Sequence, residues 1–146
     1  MTNGKNFILL AAGALISIIF FVFCAECYEL FYYKNEFSNF MYNERIYRAI
    51  AAITIALPWA AAGVYYYLID SVRFDRWFHW LIVALAVAIV TPVVCYFATE
   101  NDLIDYNAES IELQIYNIVI SFIMFVIASF SIRYWSRNCR HTPIPQ

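Results

Sequence analysis

Residues 81 to 90 read LIVALAVAIV, ten apolar side chains in succession, and the run continues as TPVVCYFAT to Thr99 before the next charge, Glu100. A fully buried strand also reads as an unbroken apolar run, but over only about 4 to 8 residues. In lipid every backbone polar group has to be bonded within the protein, and a helix does this within one segment. At about 1.5 Å per residue, some 20 residues cross a hydrocarbon core of about 30 Å. The stretches Phe7 to Ala25, Ala49 to Ile69, Leu81 to Thr99 and Leu113 to Ile132 each hold 19 to 21 residues without a Lys, Arg, Asp, Glu or His. The alternation of a membrane β-barrel is missing. The sequence therefore predicts an all-α membrane protein, one domain over residues 1–146 with four transmembrane helices in an up-down bundle.

Composition agrees with this reading. The 146 residues are 64% apolar and 14% charged, against roughly 45 to 50% and 25% in soluble domains, which argues against a water-soluble monomer. Three Gly, four Pro and 29 aromatic residues do not fit collagen-like or disordered chains. Nine Lys plus Arg against eleven Asp plus Glu leave a net charge of -2 and no basic footprint for nucleic acid.

Cytoplasmic flanks carry the excess of Lys and Arg. Lys5, Arg73, Arg76, Arg133, Arg137 and Arg140 flank one face, and only Lys34, Arg45 and Arg48 the other, so both termini are expected in the cytoplasm. Nine of the eleven acids (Glu26, Glu29, Glu36, Glu44, Glu100, Asp102, Asp105, Glu109 and Glu112) fall on the outer side. The first segment is longer than the roughly 7 to 15 residue core of a signal peptide and is read as a retained helix. No Asn-x-Ser/Thr sequon occurs, which fits a bacterial inner membrane.

Membrane helices associate where small residues let their backbones approach. The expected contact faces are Gly13, Ser17 and Cys24 on the first span, Ala49, Ala52, Ala56, Ala60 and Gly63 on the second, and Ala84, Ala88, Thr91, Cys95 and Ala98 on the third. The fourth offers a polar face, Gln114, Asn117 and Ser121. Pro58 and Pro92 near mid-depth predict packing kinks. Tyr65, Tyr66, Tyr67, Trp77, His79, Trp80 and Trp135 read as an interfacial aromatic belt.

Charge-free spans argue against proton pumps and ion-coupled carriers, which place ionisable groups inside the bilayer despite their insertion cost. The one constellation with redox chemistry is Cys24-Ala25-Glu26-Cys27, a C-x-x-C at the outer end of the first span, with Cys95 at matching depth. Four helices with this motif after the first resemble the quinone-reducing membrane oxidases that regenerate periplasmic disulfide donors. The resemblance implies thiol cycling at Cys24 and Cys27 with quinone as acceptor, and this redox alternative adds Cys95 as its resolving thiol. That family carries a second cysteine pair in the second outer loop, whereas Glu100 to Glu112 holds none. The competing reading makes the cysteines small buried hydrophobes; a static disulfide to Cys95 lies between the two. Cys139 and His141 supply two ligands, too few for a closed zinc site.

The first outer loop carries Tyr28, Phe31, Tyr32, Tyr33, Phe37, Phe40 and Tyr42, and reads as an interfacial lid and as a partner-docking surface. The second, dense in carboxylates, lacks a calcium-loop pattern and reads as a solvated acidic loop. No nucleotide-binding or hydrolase motif occurs. The expectation is a non-enzymatic membrane subunit, without cofactor or metal, acting by association: an anchor, scaffold or channel-forming element of a larger envelope complex such as a secretion or transport apparatus. Its expected partners are lipid and other membrane subunits or its own copies. The alternatives are the thiol oxidoreductase and a small immunity protein that neutralises a pore-forming toxin.

Overall fold

The computed structural model describes residues 2–69 and 77–132, with side chains described for 4–67 and 78–132. The expectations placed on Arg73, Arg76, Trp77, Arg133, Trp135, Arg137, Cys139, Arg140 and His141 lie outside those side chains. The helices are α1 (Thr2–Val22), α2 (Cys24–Phe31), α3 (Asn35–Asn43), α4 (Ile46–Gly63), α5 (Trp77–Thr99) and α6 (Asn107–Ile132). A π-helical turn, Val64–Ile69, extends α4, and a 3-10 turn, Ile104–Tyr106, leads into α6. Four stretches, Gly4–Val22, Ile46–Tyr67, Phe78–Thr99 and Ile104–Ile132, are long and apolar enough to cross a membrane. They pack together as an up-down bundle in which α6 touches α1, α4 and α5, while α1 lies at the periphery against α6 and, more lightly, α4.

Glycine explains how close α1 comes. A Cβ built on Gly13 would lie 1.7 Å from Ser131 Oγ and 2.8 Å from Ser131 Cβ, so α1 sits against α6 only because residue 13 has no side chain. One turn on, Ser17 Oγ donates to the Gly13 carbonyl (2.9 Å) and accepts from Trp59 Nε1 (3.0 Å), which brings α4 into the same joint. Gly13 and Ser17 are therefore contact residues. So are Ala84, Ala88, Thr91 and Cys95 on α5, all buried.

On α4 the contact face differs from the expected one. Ile50, Ala51, Thr54, Pro58 and Ala62 point inward, while Ala49, Ala52, Ala56 and Ala60 are exposed on the opposite side. A Cβ at Gly63 would meet nothing within 4 Å, so Gly63 is no point of close approach. Two stripes of small residues run along this helix, and hydrogen bonding selects between them: Thr54 places a hydroxyl beside the buried amide of Asn117. Pro58 and Pro92 both lie buried within their helices.

The first span ends earlier than the uncharged stretch does. Phe23 leaves helical dihedrals (φ -103, ψ 29), and α2 restarts at Cys24 with Cys24, Ala25 and Tyr28 facing the core. Tyr32 and Lys34 are extended, and α3 then runs as an amphipathic helix with Phe37, Ser38 and Met41 buried. The aromatic loop is thus two short helices closing one end of the bundle. At the other end Tyr65, Tyr66 and Trp80 depart from the belt reading: they turn inward with Ala62, Ala84, Phe125 and Ala128, leaving Tyr67 exposed. Trp80 Nε1 donates to Ser129 Oγ (3.2 Å), which satisfies the indole away from water.

Candidate functional site

α6 presents Gln114, Asn117 and Ser121 to the interior, with Asn117 and Ser121 fully buried. A buried amide in lipid has to find partners, and three other helices supply them at Asn117. Tyr28 of α2 donates its hydroxyl to Asn117 Oδ1 at 2.9 Å. Thr54 Oγ1 of α4 lies 3.3 Å from Oδ1, 3.2 Å from Nδ2 and 3.2 Å from the Tyr28 hydroxyl. Asn117 Nδ2 donates to Gln114 Oε1 at 3.1 Å, and Cys95 Sγ of α5 lies 3.7 Å from both Nδ2 and Thr54 Oγ1. The Cys95 thiol donates to the Ile50 carbonyl at 3.7 Å. Four helices are joined at this neutral knot, whose members other than Gln114 are 0% exposed.

Aromatic packing seals it. Tyr28 stacks on Tyr47 with ring centroids 5.9 Å apart and meets the edge of Phe20 at 5.8 Å. Above it Phe37 contacts Tyr32 (5.9 Å) and Tyr106 (5.7 Å), and Phe40 contacts Tyr106 (5.2 Å). Burial pushes the Tyr28 hydroxyl well above its ordinary pKa, so it remains a neutral donor.

The expected docking residues therefore divide. Tyr28 and Phe37 are buried inside the chain and are removed from any docking surface, because they form the knot and its seal. Tyr32 and Phe40 are half-buried, and Phe31, Tyr33 and Tyr42 remain exposed. Lys34 reaches Glu109 and Glu112 at 3.9 Å and pins the α2–α3 link to the start of α6. Among the described residues no group of three His, Cys, Asp or Glu side chains is arranged for a metal ion.

Cys24, Cys27 and Cys95 are free thiols. Burial raises the thiol pKa of Cys24 and Cys27; Glu26 adds to the rise at both, while backbone hydrogen bonds and Arg48 oppose it at Cys24. Reactive cysteines have the reverse, a lowered pKa in an electropositive setting. Cys95 spends its hydrogen-bonding capacity inside the knot.

Two features escaped sequence reading. Thr54 was hidden by the longer alanine series on its own helix, although its spacing from Ala51 and Pro58 marks a shared face. Tyr28 sits four residues after Cys24, a helical spacing that puts both on one side of α2 once the break at Phe23 is known. An opening lies between α5 and α6, an apolar cavity of about 490 Å³ lined by Pro92, Tyr96, Ile115 and Gln114, whose Nε2 has no hydrogen-bond partner. Fold and site together define a multi-pass helical membrane protein with a hydrogen-bonded, uncharged core. No family model, curated protein or solved structure matches the chain.

Proposed function

We propose that the protein is a non-enzymatic integral membrane subunit that acts by association, as an anchor, scaffold or channel-forming element of a larger envelope assembly of secretion or transport type. The observation that carries this reading is the outer face of α4. Between Ile46 and Gly63 the exposed residues are Arg48, Ala49, Ala52, Ala56 and Ala60, and no large apolar side chain is exposed. α1, α5 and α6 instead present exposed Ile, Leu, Val or Phe side chains on their outer faces. Small residues at positions 52, 56 and 60 permit close backbone approach by another transmembrane helix, which bulky side chains would prevent. The knot supports the same reading, since its neutral groups bond to one another across four helices and so fix helix register. The proposed setting is a bacterial inner membrane with both termini cytoplasmic, supported by the distribution of Lys and Arg.

Ala56→Phe tests this reading. The position is exposed, so the chain is expected to fold with unchanged helical content while the wild-type complex, sized by native mass spectrometry in mild detergent, falls apart to the monomer. A wild type that is already a lone monomer, without co-purifying membrane chains, overturns the proposal.

A further inference from the structure

Where α1 gives way to α2 and α3 turns into α4, the chain encloses a partly open polar cavity of about 340 Å³. Small-molecule sites occupy about 300 to 1,000 Å³. The cavity lies where the spans Gly4–Val22 and Ile46–Tyr67 meet the same membrane face, at headgroup depth. Glu26, Arg45 and Arg48 are among its lining residues, one acidic and two basic. Among the described residues the ion pairs join Lys34 to Glu109 and Glu112, so the three charges around the cavity are not paired with one another.

The backbone adds a feature that points to a ligand. The N-terminus of α4 lies here as well: Arg45, its N-cap, is left-handed (φ 58, ψ 27) and gives no side-chain cap, and the first turn contains no acid. Unsatisfied first-turn N–H groups favour an anion.

We propose that this cavity binds a phosphoethanolamine group, with the phosphate on Arg45, Arg48 and the start of α4 and the ammonium on Glu26. Guanidinium groups match phosphate oxygens in paired, charge-assisted hydrogen bonds. A carboxylate in the same lining answers a primary ammonium, which carries three N–H donors. A purely anionic headgroup leaves Glu26 without a partner, and a choline headgroup has no N–H to donate to it. The same chemistry is offered by a phosphatidylethanolamine headgroup and by soluble phosphoethanolamine.

The experiment is native mass spectrometry of the full chain in dodecyl maltoside, titrated with phosphatidylethanolamine, phosphatidylcholine and phosphatidylglycerol of identical acyl chains. Phosphatidylethanolamine is expected to bind about tenfold more tightly than either of the others. The R45Q/R48Q double variant is expected to weaken that binding by at least about tenfold, and E26Q to abolish the preference over phosphatidylglycerol while retaining binding. All three positions are exposed, and an unchanged circular dichroism spectrum verifies the fold. Competition by soluble phosphoethanolamine assigns the site to the free compound, and absence of competition assigns it to the lipid; either supports the cavity chemistry once the variants respond. Equal retention of the three lipids by the wild type, or full phosphatidylethanolamine binding by R45Q/R48Q, overturns the proposal.

Discussion

At Asn117 the helices α2, α4, α5 and α6 meet through one hydrogen-bonded cluster, whereas about two turns further along α6, from Met124 to Ser131, α1, α4 and α5 meet it chiefly through small residues and rings. The first region uses a neutral amide whose partners come from α2, α4 and α5. The second sets Gly13 against Ser131 and packs Trp80 on Phe125 with centroids 5.8 Å apart. Apolar side chains gain little by leaving lipid for one another, so neither region can rely on hydrophobic exclusion. One region gets its specificity from donors and acceptors that have no other outlet, the other from surfaces that fit only at one distance.

The largest expected effect comes from removing the amide. Asn117→Ala leaves Tyr28, Thr54 and Gln114 without their shared partner, and stranded buried polar groups cost about 1 to 3 kcal/mol. A loss of about 3 kcal/mol is expected in a dodecyl sulfate unfolding titration read by circular dichroism; a loss near zero would mean that the knot does not hold the helices. Next comes the packing region. Gly13→Ala drives a methyl into Ser131, and overpacking of this kind costs about 1 to 3 kcal/mol. Adding Ser131→Gly removes the obstructing atoms and should restore most of that loss. Failure of the rescue would place the cause elsewhere than this contact.

The two regions were unequally legible in sequence. Gly13, Ser17, Ala84 and Ala88 were readable because small residues at helical spacing signal close approach wherever they occur. Gln114, Asn117 and Ser121 were readable because polar residues in an apolar span have to face inward. Thr54 was not, since α4 carries small residues on both sides and periodicity alone cannot say which side finds a partner. Nor was the inward turn of Tyr28: the uncharged run from Phe7 to Ala25 gives no sign that the helix breaks at Phe23. Tyr65, Tyr66 and Trp80 misled for a related reason, because amphipathic rings at a span's end serve the headgroups or the core equally well, and the neighbours across the bundle decide.

A double-mutant cycle sharpens the contrast between the regions. Tyr28→Phe removes one donor from Asn117, while Trp80→Phe removes the bond to Ser129 at the other end; each is expected to cost about 0.6 kcal/mol, the average for such bonds in membranes. Combined with Asn117→Ala, Tyr28→Phe should show a coupling of about 0.5 kcal/mol or more, because the two side chains share one hydrogen bond. Trp80→Phe should add to Asn117→Ala within about 0.3 to 0.5 kcal/mol. Equal coupling in both cycles would show the bundle unfolding as a single polar network, and the distinction between its regions would fall.

The smallest effect concerns the thiols of α2, which lie in the hydrogen-bonded half. Cys24 and Cys27 are raised above the ordinary value of 9.0, Cys24 chiefly by burial and Cys27 by burial with Glu26 adding to it. At pH 7 less than about 1% of either is then thiolate, the form that reacts with iodoacetamide. Both groups are held neutral in the fold, so their contribution to stability is complete below pH 9 and declines above it, where the unfolded chain ionises first. Labelling of the folded protein, mapped by peptide mass spectrometry, should be slow at pH 7, rise about tenfold per unit toward pH 9, and stay below that of the unfolded chain. Fast labelling of Cys27 at pH 7 would reveal an activated thiol, which burial does not produce, and would return the C-x-x-C to consideration as a redox pair.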